Sequence, residues 1–168
     1  MYGTLEHTDD GRSRLRFVRN LPHPPERVWR AITEPEELEH WFPTTIEGER
    51  AVGATLRFSF REHDLPAFEG EMLAYEDGRA LEFSWGSDIV RIELRPTGQG
   101  TELTLLDTLD EHGKAARDAA GWHTCLDGLE QSLDGGAADG DAWKRLQPRY
   151  AEAFGPEAAT IGPPEGIG

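Results

Sequence analysis

An α+β fold is predicted: a curved antiparallel β-sheet of six to seven strands wrapped around one long C-terminal helix, with two short helices after the first strands. Three observations predict it. From residue 44 to residue 109 apolar and polar residues alternate with a period of two, as half-buried strands do. Turn signals break that stretch about every ten residues, the rhythm of an antiparallel meander. Ala115, Ala119, Trp122, Leu126, Leu129 and Leu133, with Cys125 beside them, then fall at helical spacing and mark one buried face. A lone amphipathic helix after a run of strands buries its stripe against the concave face of the sheet. A sheet curled around one rod leaves room between them, and a function would sit there.

The elements follow in order. Leu5-Glu6 and Leu15 to Val18 flank Asp9-Asp10-Gly11, a turn tripeptide that predicts a first hairpin. Pro22-His23-Pro24-Pro25 stops the second strand and opens a helix whose apolar side is Val28, Trp29 and Ile32. Thr33-Glu34-Pro35 ends it and starts a second short helix carrying Leu38, Trp41 and Phe42, closed by Pro43. The acidic run Glu34, Glu36, Glu37 and Glu39 suits the positive end of that helix. Strands are then expected over Leu56–Phe60, over Phe68–Tyr75 (with Gly70, Met72 and Ala74 on one face), over Leu81–Trp85, over Val90–Arg95 and over Leu103–Leu109. The long helix occupies about 114–133. Asp134 to Gly140 reads as a linker, and Trp143, Leu146, Tyr150 and Phe154 mark a last helix over 142–154, kinked at Pro148. The expected organisation is a domain over 1–134, a linker and extension helix over 135–154, and a flexible tail over 155–168 with four Gly and three Pro.

Length and charge bound the function. A chain of 168 residues suits one domain burying roughly 70% of its unfolded surface. With 32 acidic against 17 basic residues its net charge of −15 repels phosphate backbones and anionic membranes, so neither a nucleic-acid partner nor membrane insertion is expected. No stretch approaches the ~20 apolar residues of a membrane span, and the first ten residues lack the basic and apolar runs of a signal peptide. The single Cys125 forms no internal disulfide, which fits a reducing cytoplasm.

Several residue groups together resemble a known family. Pro24-Pro25-Glu26-Arg27-Val28-Trp29-Arg30-Ala31-Ile32-Thr33-Glu34-Pro35 followed by Leu38 and Trp41-Phe42-Pro43 is similar to its N-terminal signature. The strand start at Gly53, the run Leu81-Glu82-Phe83-Ser84-Trp85 and the helical pair Gly121-Trp122 match in order and spacing. The resemblance covers about residues 3 to 133. It is to the SRPBCC superfamily (START, polyketide cyclase and birch-pollen-allergen-like proteins) and, within it, to the branch named after the activator of the heat-shock-90 ATPase. It implies a helix-grip fold enclosing an apolar cavity. Superfamily members bind lipids, polyketides, hormones or other apolar molecules, and some catalyse cyclisation or dehydration.

In such a fold the inward residues of the strands and one side of the long helix face the cavity. Trp41, Phe42, Phe58, Phe60, Phe68, Met72, Phe83, Trp85, Ile92, Trp122 and Leu126 are the candidates, because aromatic and Met side chains make adaptable apolar walls. The alternative for each is plain core. Two polar residues could orient a ligand: Asp107, which breaks the apolar rhythm between Leu105 and Leu109, and His123 beside Trp122. The bland reading makes the first a strand-end carboxylate and the second a solvated helix residue. Cys125 in an apolar stripe reads as core. The six histidines show no metal-ligand spacing, Gly98-Gln99-Gly100 is a hairpin turn and no nucleophile elbow occurs, so neither metal nor cofactor is expected. The residues therefore point to a non-catalytic binding protein for a small apolar or amphipathic molecule. A cyclase or dehydratase built on Asp107 and His123 is one rival. A co-chaperone-like or homodimeric interaction through the face of Trp143, Leu146, Tyr150 and Phe154 is the other.

Overall fold

A computed structural model describes residues 1–137 and 139–163. Strands β1 (Thr4–His7) and β2 (Ser13–Leu21) form the expected hairpin, turning at Gly11 with φ of 84°. Helices α1 (Pro25–Thr33) and α2 (Pro35–Leu38) each place proline at a first-turn position, where its missing N–H is harmless. There follow β3 (Thr44–Glu47), β4 (Thr55–Phe60), β5 (Phe68–Glu76), β6 (Ala80–Trp85), β7 (Asp88–Thr97) and β8 (Gly100–Thr108). The long helix α3 covers Ala115–Leu133, and α4 covers Ala142–Phe154.

All strands join one antiparallel sheet in the order β1-β2-β8-β7-β6-β5-β4-β3. The sheet is the predicted one with eight strands among the described residues instead of six to seven. The added strand is β3, a four-residue edge too short to show alternation. The concave face collects Leu15 and Phe17 of β2, Leu103 and Leu105 of β8, Val90 and Ile92 of β7, Phe83 of β6 and Phe58 of β4, all buried. Across them lies α3, whose first half presents Ala115, Ala116, Ala119 and Ala120, each fully buried, so the helix backbone approaches the sheet closely. Its second half carries Leu126 and Leu129 into the same core.

Four local expectations change. Helix α2 ends at Leu38, and Trp41 and Phe42 sit in the turns beyond it, with the Trp41 indole N–H donating to the Ala31 carbonyl at 2.8 Å. The β5–β6 register shifts between Met72 and Ala74, after which Tyr75 packs on Trp29 at 5.7 Å, so the expected face of Gly70, Met72 and Ala74 is not continuous. Helix α4 runs through Pro148 and docks on α3, burying Leu146 and Tyr150 in the common core, so its apolar face is used internally. The start of the expected tail is packed: Pro156–Ala159 form a 3-10 turn, Ala158 is fully buried and the Ile161 N–H donates to the Gly113 carbonyl at 3.1 Å. Pro156 presets the turn and Ala158 is small enough to lodge under it. The rest of that tail, 164–168, lies outside the described residues. Among the described residues no helix is long and apolar enough to cross a membrane.

An aromatic cleft as the candidate functional site

The space expected between helix and sheet is filled at its centre. Eight rings (Trp41, Phe42, Phe58, Phe60, Phe68, Phe83, Trp85 and Trp122) form a connected cluster whose neighbouring centroids lie 4.9–6.3 Å apart, mostly edge-to-face or tilted. Phe58, Met72, Phe83, Ile92 and Leu126 are packed solid within it or beneath it. Phe68 meets Phe58 at a tilt and Trp85 edge-to-face, both at 5.0 Å. None of these six borders the cleft at the end of the grip, which corrects their placement among its walls: their rings and chains occupy the volume that smaller residues would have left.

Open space remains at the end of the grip. A cleft of about 590 Å³ is bounded by Trp41, Phe42 and Pro43 after α2, by Phe60 to His63 and Leu65 in the β4–β5 connection, by Trp85 at the end of β6, by α3, and by Trp143 of α4. Five of the predicted residues line it: Trp41, Phe42, Phe60, Trp85 and Trp122. The α3 wall is Arg117, Asp118, Gly121, Trp122, Thr124, Cys125 and Gly128. Gly121 and Gly128 stand seven residues apart on one stripe, and a Cβ built at Gly121 meets nothing within 4 Å. Helical spacing of two glycines beside Trp122 was the available signal for this groove. The loop walls carried none. Arg61 pins them, donating to the carbonyls of Phe42 at 2.6 Å and Thr44 at 2.9 Å. The Trp143 indole donates to the Arg117 carbonyl at 3.2 Å and seats α4 at the cleft edge. A smaller hollow of about 390 Å³ over β6, β7 and β8 is walled mainly by charged side chains that pair with one another, such as Arg95 with Glu102 at 2.9 Å.

Asp107 lies below the cleft, fully buried, paired in register with Leu15 on one side and Val90 on the other. Its Oδ2 accepts the Trp122 indole N–H at 2.9 Å, so this carboxylate sets the ring that forms the cleft floor. It is not among the residues that border the cleft, which corrects its assignment as one of its walls; equally, it is no exposed strand end. Burial, and after it the negative charges of Asp88 and Asp118, push its carboxyl well above the usual range. The folded chain thus holds a proton there that the unfolded chain releases above about pH 4. Stability from this group is full below that pH and is lost as pH rises through the raised folded value. Asp127 behaves oppositely: burial alone would raise it, but bonds from His123 and Arg19 hold it down to about 2, so its contribution is present above the unfolded value and lost as pH falls toward 2. Urea unfolding of Asp107→Asn against the parent is expected to show the variant's relative stability improving as pH rises above about 4. A gap that does not change with pH overturns that assignment.

His123 is one residue from Trp122 and points elsewhere. It is buried between Phe17, Tyr2 and Tyr150, with Nδ1 2.7 Å from the Tyr150 hydroxyl and Nε2 3.4 Å from Asp127. The Tyr150 oxygen also accepts the Gly3 N–H at 2.7 Å, so one hydroxyl ties the start of the chain to the His123 ring. Buried Arg19 donates to Asp127 at 2.7 Å and Glu130 at 3.3 Å in the same cluster. His123 therefore leaves the cavity set, and no Asp107–His123 acid–base pair exists. Cys125 borders the cleft, but burial pushes its thiol up to about 12, so no thiolate is present near neutral pH.

The family model for activator of Hsp90 ATPase homolog 1-like protein matches residues 22–134. The chain is similar to the structure of EF2215 from Enterococcus faecalis, a conserved protein of unknown function, at 21% identity over 90% of each chain with a TM-score of 0.77. It is similar to CalU16 from Micromonospora echinospora at 20% identity, over 95% of this chain and 96% of that one, with a TM-score of 0.71. It is also similar to DynU16, a protein in the dynemicin biosynthetic locus, at 26% identity over 74% of this chain and 48% of that one, with a TM-score of 0.65. The first two likenesses establish the helix-grip fold alone. No curated protein matches the sequence.

Proposed function

The chain belongs to the family of activator of Hsp90 ATPase homolog 1-like proteins, and on that footing we propose that it binds a small apolar or amphipathic molecule in the aromatic cleft without transforming it. One observation carries the reading: Trp41, Phe42, Phe60, Trp85, Trp122 and Trp143 border an open space of about 590 Å³, within the usual size of small-molecule sites. Each ~100 Å² of apolar ligand surface removed from water there contributes about 2.5 kcal/mol. The polar rim of Arg61, Glu62, His63 and Asp118 suits a ligand with one polar end. The place of DynU16 in a biosynthetic locus accords with a small organic product as the occupant. The lone cysteine accords with a cytoplasmic setting.

The rival readings have less support. The only acid and base that a cyclase or dehydratase was expected to use, Asp107 and His123, bond to Trp122 and to Tyr150 in separate clusters. Of the face of Trp143, Leu146, Tyr150 and Phe154 expected to dock a partner or a second copy, Leu146 and Tyr150 are buried within the fold, and Trp143 and Phe154 are partly buried.

Titration with fatty acids and aromatic polyketides, followed by tryptophan fluorescence, tests the binding reading directly. Gly121→Leu supplies the control, because Gly121 lines the cleft and a Cβ added there meets nothing within 4 Å. It is expected to weaken binding by about tenfold or more while raising stability by up to about 1 kcal/mol through helix propensity. Saturable quenching that Gly121→Leu leaves intact places the ligand elsewhere. No saturable quenching by any ligand sinks the proposal.

A further inference from the structure

We propose that Asp88, Asp107 and Asp118 form a site for one divalent, oxygen-seeking metal ion under the floor of the cleft. Three elements bring them together: Asp88 opens β7, Asp107 nears the end of β8, and Asp118 lies in the first turn of α3. One carboxylate oxygen from each lies within 4.8 Å of the other two. The second observation is independent of this proximity. Asp107 is 0% exposed, its Oδ2 is taken by Trp122, and its Oδ1 is buried with no hydrogen-bond partner. A buried carboxylate oxygen left unpaired is costly unless something positive meets it.

Charge balance specifies what that is. Lys114 bridges Asp88, at 2.9 Å, and Asp110; Arg117 bonds Asp118 at 2.7 Å. Three carboxylates, Asp88, Asp110 and Asp118, thus face two cationic side chains, and a divalent ion that displaces the proton held on Asp107 adds the fourth, so two negative charges then meet its two positive ones. Oxygen-only donors favour calcium, magnesium or manganese over zinc or copper. Opposite ligands of calcium stand roughly 4.6–5.2 Å apart, twice its ~2.3–2.6 Å bond, so oxygens within 4.8 Å of one another fit around it. Asp118 also lines the cleft, which gives the ion its entry and lets it face a bound molecule. The sequence reading, which looked to histidine spacing, excluded metal; these carboxylates are scattered along the chain and only the fold collects them.

Calorimetric titration of chelator-stripped full-length protein with calcium, magnesium or manganese chloride tests the site, with Asp107→Asn and Asp118→Asn as variants. The first keeps an amide oxygen for Trp122; the second changes a half-buried residue at the cleft wall and leaves the core untouched. One ion per chain is expected for at least one of the three metals, with proton release on binding and affinity about tenfold or more weaker in both variants. Bound manganese should give a broadened resonance signal that both variants lose. Uptake unchanged in the two variants, or no saturable uptake by the parent chain, overturns the site. The second outcome means that Oδ1 is met by a proton.

Discussion

A chain ending at Asp134 is expected to be about 5 kcal/mol less stable than the intact chain. That is enough to leave much of it unfolded, since domains of this size are held by about 5–15 kcal/mol. The deletion removes α4, whose Leu146 is 9% and Tyr150 1% exposed, and each such side chain contributes about 1.5–3 kcal/mol by burial. It also unpairs a polar cluster. The Tyr150 hydroxyl is the partner of both the Gly3 N–H and His123 Nδ1, and without it those groups lie at a newly opened apolar surface beside Phe17. Ala142, Leu146 and Tyr150 share one buried core with the sheet, so the helix is a wall of the fold. Urea unfolding followed by tryptophan fluorescence measures the difference. Tyr150→Phe separates the contributions: it keeps the ring, loses the hydroxyl, and should cost about 1–3 kcal/mol for the two groups left unpaired. A truncated chain within about 1 kcal/mol of the intact one would make α4 an appendage and restore the organisation expected from the sequence, with an independent unit ending at residue 134.

The packing of α4 and the make-up of the cleft were the parts that pattern in the sequence could not reach, for a physical reason. Strand parity was legible wherever apolar residues alternate over five or more positions, as in Leu56–Phe60 or Val90–Leu94, because one face must be buried whatever its neighbour. The path of α3 was legible for the same reason. What pattern could not reach was which inward residues touch each other and which border space. Asp107 broke the rhythm visibly, yet its partner Trp122 lies fifteen residues on, in another element. His123 could have been excluded: successive helix residues are turned by about 100°, so a helix that gives Trp122 to the cleft turns His123 toward α4 and β2. Arg19 follows the inward parity of Leu15, Phe17 and Leu21, and its burial is tolerable only because Asp127 and Glu130 on α3 meet it. The cleft itself is made by loop residues 61–65 and by Trp143, whose positions depend on the whole assembled fold.

Trp85→Ala is the second large effect expected, and it joins stability to function in one residue. Trp85 ends β6 and touches Phe42 at 5.5 Å, Phe58 at 4.9 Å, Phe68 at 5.0 Å, Phe83 at 6.3 Å and Trp122 at 5.9 Å, so most of the aromatic cluster leans on it. Truncation should cost about 3–4 kcal/mol, within the range for a large aromatic removed from a packed site; the half-exposed indole keeps it from the top of that range. The space released joins the cleft, because Trp85 lines it from the inside. Small ligands then lose a wall and should bind about tenfold more weakly, whereas bulkier ones gain depth and should lose less or bind better. Gly121→Leu acts from the opposite side, narrowing the same space without disturbing the cluster. The two variants should therefore rank ligands of increasing size in opposite orders, measured by calorimetry at a temperature where both remain folded. If the rankings do not diverge, the ligand does not lie between Trp85 and α3, even where each variant alone weakens binding.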